Sequence, residues 1–171
     1  GWYGLAGNSS YTGVFAGFPD PVEGSATDPY LMFAIPSNVY ADPCRFLDAG
    51  LLTPRVGHSV DDLVNALVAL EGAEVSTPTD VTLDGYRGRQ LTITAPDTFD
   101  ECSPEEPQYR LWRFPNGGDH FMAPRQVHRI SIIDVDRTRV VIVTSEHPDT
   151  APHDLAQLQQ IFESIELEPR Y

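Results

Sequence analysis

The chain has 171 residues, 25 acidic against 11 basic, for a formal net charge of −14. That length fits one domain with a proper core, and so acidic a surface repels nucleic acid and anionic lipid, which excludes partners held by phosphate neutralisation. No apolar run approaches the ~18 residues of a membrane span, and the opening "GWYGLAGNSS" carries neither a basic n-region nor an apolar h-region. The chain starts without Met, so the expectation is a processed product with any signal peptide, lipid anchor or tether upstream. All 11 basic residues are Arg and Lys is absent, a pattern that codon usage in a GC-rich genome or salt adaptation would each produce.

In chain order, "YTGVFAGF" (11–18) and "PYLMFAIP" (29–36) are aromatic and β-branched runs bounded by Gly and Pro, which predicts strands. "RFLDAG" (45–50) predicts a short helical turn stopped by Gly50. "SVDDLVNALVALEG" (59–72) predicts the clearest helix, with Ser59 as N-cap, Asp62 three residues on, Gly72 as the stop, and Leu63, Leu67 and Leu70 on one face. "DVTLDGYRGRQLTITAP" (80–96) reads as a hairpin around Asp84-Gly85, with Gly88 a candidate bulge. "YRLWRF" (109–114) alternates Tyr109, Leu111 and Arg113 against Arg110, Trp112 and Phe114, as a strand with two unlike faces. "VHRISIIDVDRTRVVIVTS" (127–145) predicts a hairpin of 127–135 with 139–145, joined at Asp136-Arg137-Thr138. The closing "TAPHDLAQLQQIFESIELEP" (150–169) predicts a helix with Thr150 as cap and Pro152 in the first turn. Its apolar stripe is Leu155, Leu158, Ile161, Phe162 and Ile165. This order implies one α+β domain over residues 1–171, a mainly antiparallel sheet of about five to seven strands covered by helices.

The chemistry-bearing residues are few. Cys44 and Cys102 stand 58 positions apart in loop-like surroundings, "ADPCR" and "DECSPEEP". A disulfide in an oxidising compartment is the favoured reading, with two buried thiols or a nucleophile as alternatives. Asp42, Asp100, Glu101, Glu105 and Glu106 crowd the thiols in sequence and disfavour a thiolate. "GHSVD" (57–61) lacks the closing Gly of a nucleophile elbow, and its Ser59 already serves as a helix cap. His120, His128, His147 and His153, with Asp119, Asp149 and Asp154, lack helical i, i+4 spacing for a metal, so neither a metal site nor a cofactor is expected. The loops "DTFDECSPEEPQ" (97–108) and "PNGGDHFMAPRQ" (115–126) flank the "YRLWRF" strand. They make Tyr109, Trp112, His120, Phe121 and Arg125 the candidate binding residues, although a strand Trp more often belongs to a core.

"NVYADPCR", "VDDLVNALVALEGAEVSTPTDVTLDGYRGRQLTIT", "RISIIDVDRTRVVIVT" and the closing "SIELEP" together resemble secreted or lipoprotein-like domains of unknown function common in actinomycetes, over roughly residues 30–169. The layout is also similar to the PsbP-like α/β/α sandwich, which transfers no activity. The resemblance implies an extracytoplasmic domain with a strand or tether upstream of Gly1-Trp2, a loop disulfide at Cys44 and Cys102, and no catalytic residues. The expectation is therefore a non-enzymatic sensor or accessory domain that binds a small ligand or a protein, with no nucleic-acid partner. The alternatives are an envelope-associated hydrolase or metal-dependent enzyme and a structural component of a surface assembly.

Overall fold

The longest β-branched runs form the centre of the fold. In the computed structural model, which describes residues 2–5, 11–16 and 28–167, β10 (Val127–Val135) and β11 (Thr138–Glu146) pair antiparallel from Val127 opposite Glu146 to Val135 opposite Thr138. Beyond β11 lie β3 (Tyr30–Ala34), β2 (Tyr11–Ala16) and β1 (Trp2–Leu5). Beyond β10 lies β7 (Tyr86–Thr94), whose far edge pairs with β5 (Glu74–Val75) and β6 (Thr79–Leu83). A separate sheet joins β4 (Asn38–Val39), β8 (Tyr109–Arg113) and β9 (Asp119–Met122).

Both faces of the large sheet are covered. On one, Leu63 and Leu67 of α2 (Val60–Val68) and Val39, Leu111 and Trp112 of the small sheet join the core of Met32, Leu91, Ile93, Ile130, Ile132, Val141 and Val143. On the other, Leu158 of α3 (Pro152–Glu163), with Ile161, Phe162 and Ile165, packs with Leu31, Ile133 and Ile142. Burial on both sides explains why "RISIIDV" and "VVIVT" read as near-continuous apolar runs instead of clean alternation. The α+β class and the antiparallel sheet match the expectation. The described residues hold eleven strands, more than expected, because β1, β4, β5 and β9 are two to four residues long and too short to leave a periodic signal.

Local details follow the chain's chemistry. Ser59 caps α2 through a capping box with Asp62, the hydroxyl accepting from the Asp62 N–H at 3.0 Å and the carboxylate from the Ser59 N–H at 3.0 Å. The short turn before Gly50 is α1 (Phe46–Ala49), and Gly50 takes φ 67°. Asp84-Gly85 turns the β6–β7 hairpin, and both residues have positive φ. Cys44 and Cys102 are disulfide-bonded and no free cysteine remains. Closing a loop of 58 residues contributes roughly 4 kcal/mol in the chain-entropy account.

Three expectations change. Thr150 does not cap α3: Ala151 holds the N-cap position without a side-chain bond, and the Thr150 hydroxyl accepts from the His147 N–H instead. Gly88 is not a bulge, since β7 pairs with both neighbours without interruption. A Cβ at Gly88 would lie 2.1 Å from the Ile132 carbonyl oxygen, so the glycine admits close strand approach. The bulge lies in β8 between Arg110 and Trp112, which breaks the alternation of "YRLWRF" and puts both Leu111 and Trp112 in the core. The strand expected over 11–18 is β2 as far as Ala16; residues 17–18, like 168–169 of the closing segment, lie outside the described residues.

Gly88→Ala is expected to destabilise the protein by ~2 kcal/mol or more in urea titration, because the obstacle is backbone at the sheet centre. Gly85→Ala, in the two-residue β6–β7 turn with nothing within 4 Å of its added Cβ but a positive φ, should lose only about 1 kcal/mol. Equal losses at the two positions would contradict the close approach of β7 and β10.

Candidate functional site

The five residues proposed from the loop pair do not form one surface. Tyr109 and Trp112 are fully buried and His120 nearly so, whereas Phe121 is 56% exposed. Arg125 is exposed, with Nη1 3.4 Å from the Asp149 carboxylate. Trp112 stacks on His120 with ring centroids 4.5 Å apart. His120 Nε2 lies 3.4 Å from His128 Nδ1, and His128 Nε2 lies 3.0 Å from the Tyr30 hydroxyl. Beside this chain the Gln126 amide donates to the Ser145 hydroxyl at 2.7 Å. Burial pushes the His120 imidazole down to about 3. Burial, and then the neighbouring His120, push His128 well below its ordinary value. The two rings are thus neutral members of a polar seam inside the core.

The arginines of β8 are equally committed to the fold. Arg110 pairs with Glu106 and Asp119 and lies over the Phe46 ring at 4.3 Å. Arg113 pairs with Asp119 at 3.0 Å and donates to the Tyr40 hydroxyl at 2.7 Å. Burial opposes ionisation of Asp119, but the hydrogen bonds from Arg113 and Tyr40 hold its carboxyl below the usual range. An aromatic and cationic platform at this strand would have to break that network. No group of three or more metal-ligating side chains occurs among the described residues.

Unmatched positive charge gathers elsewhere. At the β10–β11 turn and the entry to α2 lie two adjoining clefts of about 480 and 320 Å³, both lined by His58, Arg137 and Arg139. Arg55 joins the larger one, whose ten lining residues include three Arg, one His and no Asp or Glu. In a chain with 25 acidic residues that local excess is a positive patch of the kind that attracts anions. Among the described residues, no carboxylate pairs with Arg55 or Arg137.

Three segments build this cleft. Arg139, on β11, donates Nη1 to the carbonyls of Gly57 at 2.6 Å and Ser59 at 3.1 Å, gripping the loop on either side of His58. Gly57 leaves room for the capping carboxylate, since a Cβ there would fall 2.3 Å from Asp62 Oδ2. Arg137 occupies the second position of the two-residue turn between β10 and β11, where Asp136 has φ 49° and Arg137 φ 70°. Turns with both central residues at positive φ favour Gly second, as Gly85 provides in the β6–β7 hairpin. Arginine at this position is unfavourable, and the Asp134 carboxylate holds it by accepting the Arg137 N–H at 2.8 Å. Arg125 also has positive φ, at 62°, but its guanidinium already meets Asp149. Sequence reasoning missed Arg55, His58, Arg137 and Arg139. The available signal was Arg137, an arginine in a hairpin turn where glycine belongs.

Comparison with known proteins adds little. No protein-family model matches the chain, and no curated protein does. Among solved structures it is similar to PA94 of Pseudomonas aeruginosa, a protein of unknown function described as a candidate regulator, at 15% identity and a TM-score of 0.44, covering 96% of this chain and 88% of that one. A likeness at that level carries no argument about function.

Two outcomes are expected. The buried histidines bind protons only when unfolded, so their contribution to stability is complete above the unfolded value of ~6.5 and is lost as pH falls from there toward about 3. Urea midpoints should drop between pH 7 and pH 4.5, and His120→Phe should flatten that slope; an unchanged slope would show that the seam does not carry it. Arg139→Ala should speed amide hydrogen exchange at residues 57–59 while leaving β7 protected, and unaltered exchange there would contradict its grip on the loop.

Proposed function

We propose that this protein is a non-enzymatic extracytoplasmic ligand-binding module, a sensor or accessory domain, and that its ligand is a small anion held in the cleft of Arg55, His58 and Arg137. The observation that supports it is the ring of three arginines and a histidine with no acidic side chain in the larger cleft, at a turn whose geometry disfavours the arginine it carries. Arg55 and Arg137 bring guanidinium forks suited to carboxylate or phosphate oxygens. Arg139 acts as a positioning residue through the loop that bears His58.

The disulfide supports placement in an oxidising, extracytoplasmic compartment. The layering of α3, the large sheet, and α2 with the small sheet is consistent with a PsbP-like sandwich. The cleft replaces the loop pair as the preferred place for the ligand, because two of the loop candidates are wholly inside the core.

The test is a titration with acetate and inorganic phosphate, followed by amide chemical shifts at low ionic strength. Shifts are expected at residues 35–37, 55–59 and 137–139, weakening as salt rises, and Arg55→Gln should reduce affinity by about tenfold. Shifts centred on Phe121 and Arg125 would return the site to the loops, and no shifts at all would remove the reading.

A further inference from the structure

The larger cleft is not uniformly polar. Arg137, His58 and Arg139 line both clefts, whereas Arg55, Ser37 and Thr138 and the apolar Ile35, Pro36, Val56 and Pro115 line the larger one alone. Ile35 is 57% exposed, at the head of the segment that follows β3. Asp134 lines the smaller cleft and would repel a second acidic group placed there. The larger cleft therefore offers one occupant both basic groups, on Arg55, His58 and Arg137, and an apolar surface on Ile35, Pro36 and Pro115.

We infer that the cleft takes a small amphiphilic monoanion, a single carboxylate on a short aliphatic body. This rests on the anion-binding reading above and names its ligand class. The volume of about 480 Å³ lies within the range of small-molecule sites. A free amphiphile is favoured over a bilayer headgroup because a chain of net charge −14 is repelled by an anionic membrane surface.

The probes are octanoate, acetate and octan-1-ol, titrated calorimetrically against the full chain below the octanoate micelle concentration, together with phosphatidylglycerol vesicles. Octanoate should bind at least about tenfold more tightly than acetate, octan-1-ol should bind more weakly than octanoate, and the vesicles should not bind. Ile35→Ser, at an exposed position, should lower octanoate affinity by a larger factor than acetate affinity; Arg55→Gln should lower both. Equal affinity for octanoate and acetate would overturn the apolar wall while leaving an anion site in place. Octan-1-ol binding as tightly as octanoate, or vesicle binding without octanoate binding, would overturn the inference. Failure of both acids to bind the unmodified protein would remove the anion-binding reading with it.

Discussion

The ladder between β10 and β11 is the constraint from which the rest of the molecule follows. Its register decides that Ile130, Ile132, Val141 and Val143 meet α2 and the small sheet, while Ile133 and Ile142 meet α3. A slip of one residue would exchange those two sets and empty both cores. The same register leaves two residues for the turn, so Asp136 and Arg137 must both adopt positive φ. At the other end it sets His128 opposite Ser145, where the buried seam with Tyr30, His120 and Gln126 begins. Core, seam and cleft are thus three consequences of one pairing.

Charge is distributed to match. Arg110 and Arg113 close on Asp119, Arg89 reaches Asp80 and Arg125 reaches Asp149; these pairs hold elements together. Among the described residues, neither the Arg55 nor the Arg137 side chain makes an ion pair, which leaves both guanidinium groups open to water and to an anion entering the larger cleft. The turn sharpens the contrast, because the fold would be better served there by glycine, the residue it uses at position 85. That departure from local preference is one ground for the proposed anion site.

Much of the fold was legible in the sequence because its signals are local. Ser59 and Asp62 announce a capping box, Asp84-Gly85 a two-residue turn, and "VHRISIIDV" followed by "RVVIVTS" a buried hairpin. The disulfide was readable from two loop cysteines in a chain with no other cysteine. The small sheet was harder: one bulge in β8 reverses the faces of Trp112 and Arg113, so Trp112 and His120 looked available when they are core. The cleft was hardest, since Arg55 and His58 come from the loop before α2 and Arg137 from the β10–β11 turn, and their convergence is a tertiary fact.

The account turns on Arg137 being kept for a ligand at the expense of the turn. The most direct measurement is Arg137→Gly, followed by urea stability and acetate affinity on the same sample. The account predicts a gain of about 1 kcal/mol in stability, as Asp-Gly suits this turn, together with an affinity loss of about tenfold or more. A variant that loses stability, or one that binds acetate as tightly as before, would contradict it.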